Sequence, residues 1–197
     1  SVEFASSARS GNALLGLTYK YKWSNQINFY GQFILDEFSL SDIKKADNSW
    51  KNKYGYQLGA KYYNAFNVDN LVLQLEYNHV RPYVYSHSMP ITNYGHNNQS
   101  IGHQWGGNFR EFIAIARYHK GRYFADAKIT MGTRGLDFDT VANNLNYGGN
   151  IYKDYDENRA FNTGVKVGQG NKTSVFIADF QGGYLVNPTT NLKLFGS

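Results

Sequence analysis

Eight tracts of this chain alternate apolar with polar residues, and the connections between them are by turns very short and very long. The tracts run over 12–22, 27–39, 53–64, 71–85, 109–119, 122–133, 173–186 and from 191 onward. In 71–80, Leu71, Leu73, Leu75 and Tyr77 oppose Val72, Gln74, Glu76 and Asn78. Successive strand side chains point to opposite faces, so one face suits lipid and the other suits water. In 123–132, Tyr123, Ala125, Ala127, Ile129 and Met131 oppose Phe124, Asp126, Lys128, Thr130 and Gly132. Charged residues at two successive positions of one face argue against a dry core.

The connections at 23–26, 64–70, 119–121 and 187–190 are short, whereas 40–52, 86–108 and 134–172 are long. Short turns at one end and long loops at the other are the pattern of an antiparallel transmembrane β-barrel, with the long loops outside the cell. Most tracts reach the roughly 9–11 residues that a tilted strand needs to cross a bilayer. Strict alternation assigns 162–170 to the third long loop. The expected fold is therefore all-β, with about eight strands in this segment of an outer-membrane barrel.

Composition fits that expectation. The chain holds 17 Tyr, 13 Phe and 20 Gly but no Cys, and its mean hydropathy is −0.54. No stretch approaches the ~18 apolar residues of a membrane helix. Tyr19, Tyr21, Tyr54, Tyr56, Tyr62, Tyr77, Tyr118, Tyr123 and Tyr184 fall near tract ends, where rings form interfacial girdles. The net charge of +5 raises the question of nucleic acid, but Lys and Arg are scattered and form no basic stripe, so no nucleic-acid partner is expected. Residues 1–197 read as one barrel segment, and the short final tract and strand-like Val2 and Phe4 suggest the C-terminal half of a longer chain.

A specific resemblance lies in YGYQLGAKYYNAF, LQLEYNHVRPYVYSH, NYGHNNQSIGHQWGGNF and FIAIARYHKGR within 54–122, flanked by FYGQFILDEF and YLVNPTTNLKLF. Together these resemble the capsule-assembly Wzi family of outer-membrane barrels, in particular its Bacteroidota branch, which includes gliding-motility proteins. The resemblance implies a larger barrel in the bacterial outer membrane, associated with surface polysaccharide or with cell-surface machinery. It implies no catalytic mechanism and no cofactor.

Two groups of candidate residues follow. The second loop and its approach offer Tyr83, Tyr85, His87, Tyr94, His96, Asn98, Gln99, His103 and Trp105. Amides and neutral imidazoles both donate and accept hydrogen bonds, and aromatic faces pack on sugar rings, a mixture suited to a neutral glycan. The bland alternative is a loop that satisfies its own backbone with the same groups. The lumen-facing set is Gln32, Asp36, Gln57, Lys61, Gln74, Glu76, Asn78, Glu111, Arg117, Asp126 and Lys128, joined by Asn28, Tyr30, Asp179 and Gln181. In the fifth tract the phase has two solutions, with Phe112, Ala114, Ala116 and Tyr118 giving the better lipid face.

Histidine separations of nine and seven residues in the second loop match no metal site. Lys44, Lys45, Lys51 and Lys53 make the first loop basic, and Asp137, Asp139, Asp154, Asp156 and Glu157 make the third acidic without EF-hand spacing. The expected partners are outer-membrane lipid and lipopolysaccharide, with a surface polysaccharide or an outer-membrane protein complex as the specific ligand. The leading expectation is a non-enzymatic barrel that binds or organises polysaccharide, and the alternative is a structural component of a gliding or type IX secretion complex.

Overall fold

A computed structural model describes residues 14–36, 44, 47–88 and 102–197, with 2–5, 37, 95–96 and 99–100 described as backbone only. The strands are β1 (Val2–Ala5), β2 (Leu14–Lys22), β3 (Ile27–Glu37), β4 (Lys53–Tyr63), β5 (Leu71–Val80), β6 (Gly95–His96), β7 (Gln99–Ser100), β8 (Phe109–Lys120), β9 (Tyr123–Leu136), β10 (Asn171–Asn187) and β11 (Leu192–Gly196). One antiparallel sheet of nine strands runs β1-β2-β3-β4-β5-β8-β9-β10-β11, and β6 and β7 form a separate ribbon. Eight of the nine correspond to the tracts read from sequence, and β1 is the addition. No pairing joins β1 to β11 among the described residues, so the sheet is open.

Local chemistry explains the short connections. Between β8 and β9 the chain reverses over Gly121 and Arg122, with Gly121 at φ +60, a left-handed conformation that costs glycine no steric penalty. At 23–26, Ser24 Oγ accepts from the amides of Gln26 and Ile27, at 3.1 and 3.0 Å. Asn64, Asn67 and Asn70 take positive φ around the 3₁₀ turn Ala65–Asn67, as asparagine tolerates better than most residues.

The register sorts the side chains into two unlike faces. Phe112, Ala114, Ala116 and Tyr118 on β8 stand opposite Tyr77, Leu75, Leu73 and Leu71 on β5, which settles the phase of that strand. On this apolar face Leu75 is 50 % exposed, Phe180 60 % and Phe176 68 %. The other face carries Gln57, Asn78 and Glu111 in one cross-strand row, Glu76 in the next and Lys61 and Gln74 in the one after. The largely buried residues collect at the upper end of this polar face, under and within the long loops.

The long connections differ in length from those expected from sequence: the third is shorter and the second longer. The third spans 137–170, because β9 continues to Leu136 and β10 starts at Asn171. The fourth tract stops at Val80 rather than 85, since Pro82 lacks an N–H for the ladder and Tyr83 and Tyr85 adopt φ of +67 and +70.

Candidate functional site

Above Val80 the chain turns over the mouth of the polar face and is fixed there. The N–H of Tyr83 donates to the Gly148 carbonyl at 2.9 Å, and its hydroxyl to the Asn146 carbonyl at 2.9 Å. The N–H of Tyr85 donates to Asp36 Oδ2 at 2.9 Å, and the Ser86 hydroxyl to the Tyr83 carbonyl at 2.7 Å. A bulky residue at positive φ costs about 1–3 kcal/mol, so these bonds and the packing must offset the strain. Burial also pushes the Tyr83 phenol up to about 12.

Two apolar clusters fill the cap. Val80, Val84, Tyr85, Trp105, Phe109 and Ile151 form the first. Trp50, Tyr83 and Val165 form the second, with Tyr155 against them. Cations of the chain itself occupy its aromatic faces: the Arg159 guanidinium lies 3.8 Å from the Trp50 ring centre and Lys53 Nζ 3.7 Å from that of Tyr155. The third loop is tied to the first by Trp50 N–H to the Asn162 carbonyl (3.1 Å) and Val165 N–H to the Asn48 carbonyl (3.0 Å).

Asn108 links the loops. Its fully buried side chain donates through Nδ2 to the carbonyls of Gly135, Tyr147 and Gln169 at 3.0, 3.2 and 3.0 Å, while Oδ1 accepts the Gly168 N–H at 2.7 Å. Gly135 makes this approach possible, because a Cβ there would lie 2.1 Å from the Gln169 carbonyl oxygen and 2.2 Å from Asn108 Nδ2. In the same region Lys153 Nζ lies 2.7 Å from Asp137 Oδ2 and also meets Asp139. Burial works against the ammonium, but both carboxylates outweigh it and hold Lys153 above the ordinary lysine value.

Beneath the cap, a hydrogen-bond network runs across the polar face from β3 to β8. Glu76 accepts from the Tyr30 hydroxyl at 2.6 Å, Gln57 Nε2 at 2.8 Å and Asn78 Nδ2 at 3.0 Å. Asn78 Nδ2 also reaches Glu111 Oε2 at 3.0 Å, and Gln74 Nε2 donates to the Tyr30 hydroxyl at 2.7 Å. His103 Nε2 lies 2.8 Å from the same Glu111 oxygen. Because His103 Nδ1 accepts the Trp105 N–H at 3.1 Å, its proton sits on Nε2 and is donated to the carboxylate. A second-loop side chain is thereby pinned to the sheet.

The eleven residues read as lumen-facing share this polar face. Gln57, Gln74, Glu76, Asn78 and Glu111 join the network, and Asp36 holds Tyr85. Gln32 lines a 260 Å³ cavity under His103 and Phe109. Lys61 Nζ lies 5.6 Å from the Tyr30 ring centre. Arg117 stands opposite Asp126, and Lys128 opposite Asp179.

The second-loop candidates are dispersed. Tyr83, Tyr85 and Trp105 are buried in the cap, and His103 packs on Phe109 with ring centres 4.3 Å apart. His87 meets Tyr155 edge-on at 5.9 Å. His96 and Gln99 pair across the β6–β7 ribbon, whereas Tyr94 and Asn98 lie outside the described residues.

Between the second and third loops opens a cleft of about 750 Å³, lined by Gln104, Trp105, Arg134, Asp139, Asn150 and Tyr152 among others. The Arg134 guanidinium stacks on Trp105 with its carbon 5.4 Å from the ring centre, and donates to the Trp105 carbonyl at 3.2 Å. Sequence reading passed over Asn108, Arg134, Asn150 and Tyr152. The Gly106-Gly107-Asn108 run before β8 was the available signal for Asn108; nothing local marked the other three.

No family model, curated protein or solved structure matches this chain. No helix among the described residues is long and apolar enough to cross a membrane, which leaves strands untouched.

Proposed function

We propose that this chain forms part of a non-catalytic transmembrane β-barrel of the bacterial outer membrane, similar to the capsule-assembly Wzi family, which holds or organises surface polysaccharide at its outer cap. The separation of the sheet into a charge-poor apolar face and a hydrogen-bonded polar face carries the membrane part of this reading. Along β8 the apolar face bears no charge between Arg110 and Lys120. Ten residues at about 3.3 Å each, tilted by about 40°, give a band on the order of 25 Å, the height of a barrel's lipid belt. Nine antiparallel strands end on two that run the same way, so an antiparallel ring requires an odd number of further strands.

The cleft between the second and third loops supports the polysaccharide part. It joins aromatic surface from Trp105 and Tyr152 to hydrogen-bonding groups of Gln104, Arg134 and Asn150, the mixture that grips sugars. Outer-membrane preparations carrying Asn150→Ala with Tyr152→Ala should retain markedly less surface polysaccharide at unchanged protein yield. Retention equal to wild type would remove this assignment.

Burial of Tyr83, Tyr85 and Trp105 favours a second reading, in which the cap is a rigid platform in a gliding or type IX secretion-associated complex. Val141 and Leu145 stand exposed on the third loop as apolar contacts for a partner. Val141→Asp with Leu145→Asp should then release a co-purifying protein, and recovery of the same complex would sink the idea.

A further inference from the structure

The apolar face is basic at its upper margin. The register sets Phe33, Tyr56, His79, Arg110 and Thr133 side by side across five strands, and Lys172 faces Gly135 one row above. Arg110 and Lys172 are exposed and have no ion-pair partner among the described residues. His79 is held between aromatic rings, its centre 5.0 Å from that of Tyr56 at 15° and 6.5 Å from that of Tyr54 at 20°. Its buried Nδ1 has no hydrogen-bond partner among the described residues. Arg81, whose guanidinium carbon lies 5.4 Å from the Tyr54 ring centre, adds a third cation behind the row. Directly below stand Tyr77 and Phe112, then the uncharged band.

We propose that His79, Arg110 and Lys172 form a binding site for the phosphate of an anionic membrane lipid at the outer rim of the apolar face. This rests on the membrane reading above. Cations at the headgroup level attract anionic lipids, and tyrosine rings settle at the same depth. The site opens sideways over apolar side chains rather than into water, so it suits a phosphate with hydrocarbon attached below it. A free anion would use the cations and leave Tyr77 and Phe112 uncovered. Arg110 contributes direct donors, Lys172 a mobile charge two strands away, and the ring-held imidazole a fixed hydrogen-bonding edge.

The test uses the purified protein in nanodiscs of phosphatidylcholine containing a minor share of phosphatidylglycerol, with co-retained lipid identified by native mass spectrometry. Wild type should retain phosphatidylglycerol above its bulk share, and Arg110→Ala with Lys172→Ala should reduce that enrichment by about fivefold or more. Lys61→Ala with Lys128→Ala, which removes two charges from the polar face, should change nothing. Equal retention by wild type and the double variant would overturn the site while leaving the barrel intact. Displacement of the lipid by inorganic phosphate would overturn it in favour of a free-anion site. Failure of wild type to enter the bilayer would overturn the site and the membrane reading together.

Discussion

The outer cap and the sheet beneath it are stabilised in opposite ways. In the cap, Trp50, Tyr83, Trp105 and Phe109 are buried among neighbours from three loops, and Asn108 spends every side-chain polar atom on backbone. In the sheet, Leu75, Phe176 and Phe180 turn outward half exposed or more, while the polar face is held by hydrogen bonds from Tyr30 to Glu111. The cap is a self-sufficient small core. The sheet leaves its apolar face exposed, and on the membrane proposal that area is stabilising where hydrocarbon replaces water.

Breaking the cap should have the largest effect. Asn108→Ala takes this partner from the Gly168 N–H and the Gly135 and Gln169 carbonyls, while the Tyr147 carbonyl keeps Gln169 Nε2; at about 1–3 kcal/mol for a buried group left unsatisfied, a loss on the order of 4 kcal/mol is expected. Limited proteolysis should show cleavage of the second and third loops with the strands still protected. Next, Leu75→Arg at the middle of the apolar face should cost about 2–4 kcal/mol in a bilayer, measured by urea titration in lipid vesicles. The same change on a water-facing surface would stay within about 0.5 kcal/mol.

Smaller effects sharpen the comparison. Tyr30→Phe removes one bond to Glu76 and the acceptor for Gln74, and should cost about 1 kcal/mol in the same titration without altering loop protection. Lys153 offers a pH test confined to the cap. Its raised folded value means its contribution is full below the ordinary 10.5 and fades as pH climbs through the folded value. Loop protection should be flat from neutral pH to about pH 10 and then fall, and Lys153→Met should weaken it slightly and flatten the fall.

Period-two alternation made the eight tracts and their faces legible, because a strand read in the wrong phase would bury charges such as Lys61 and Asp126 in the apolar face. It could not give the cap. Tyr83 and Tyr85 looked like ligand-facing aromatics, yet Pro82 and two positive φ angles turn them inward. Asn108, Gly135 and Gly168 meet only because the third loop folds back over the second, a long-range contact that leaves no periodic trace. The cleft of Arg134, Asn150 and Tyr152 was hidden for the same reason.

The central claim is that the apolar face touches hydrocarbon and the polar face does not. The chain has no cysteine, so single cysteines at 73, 74, 75 and 76, labelled with a fluorophore and reconstituted with brominated lipids, report each face separately. Strong quenching at 73 and 75 with weak quenching at 74 and 76 is the expected result. Quenching that fails to alternate, or is absent at all four positions, would contradict the account.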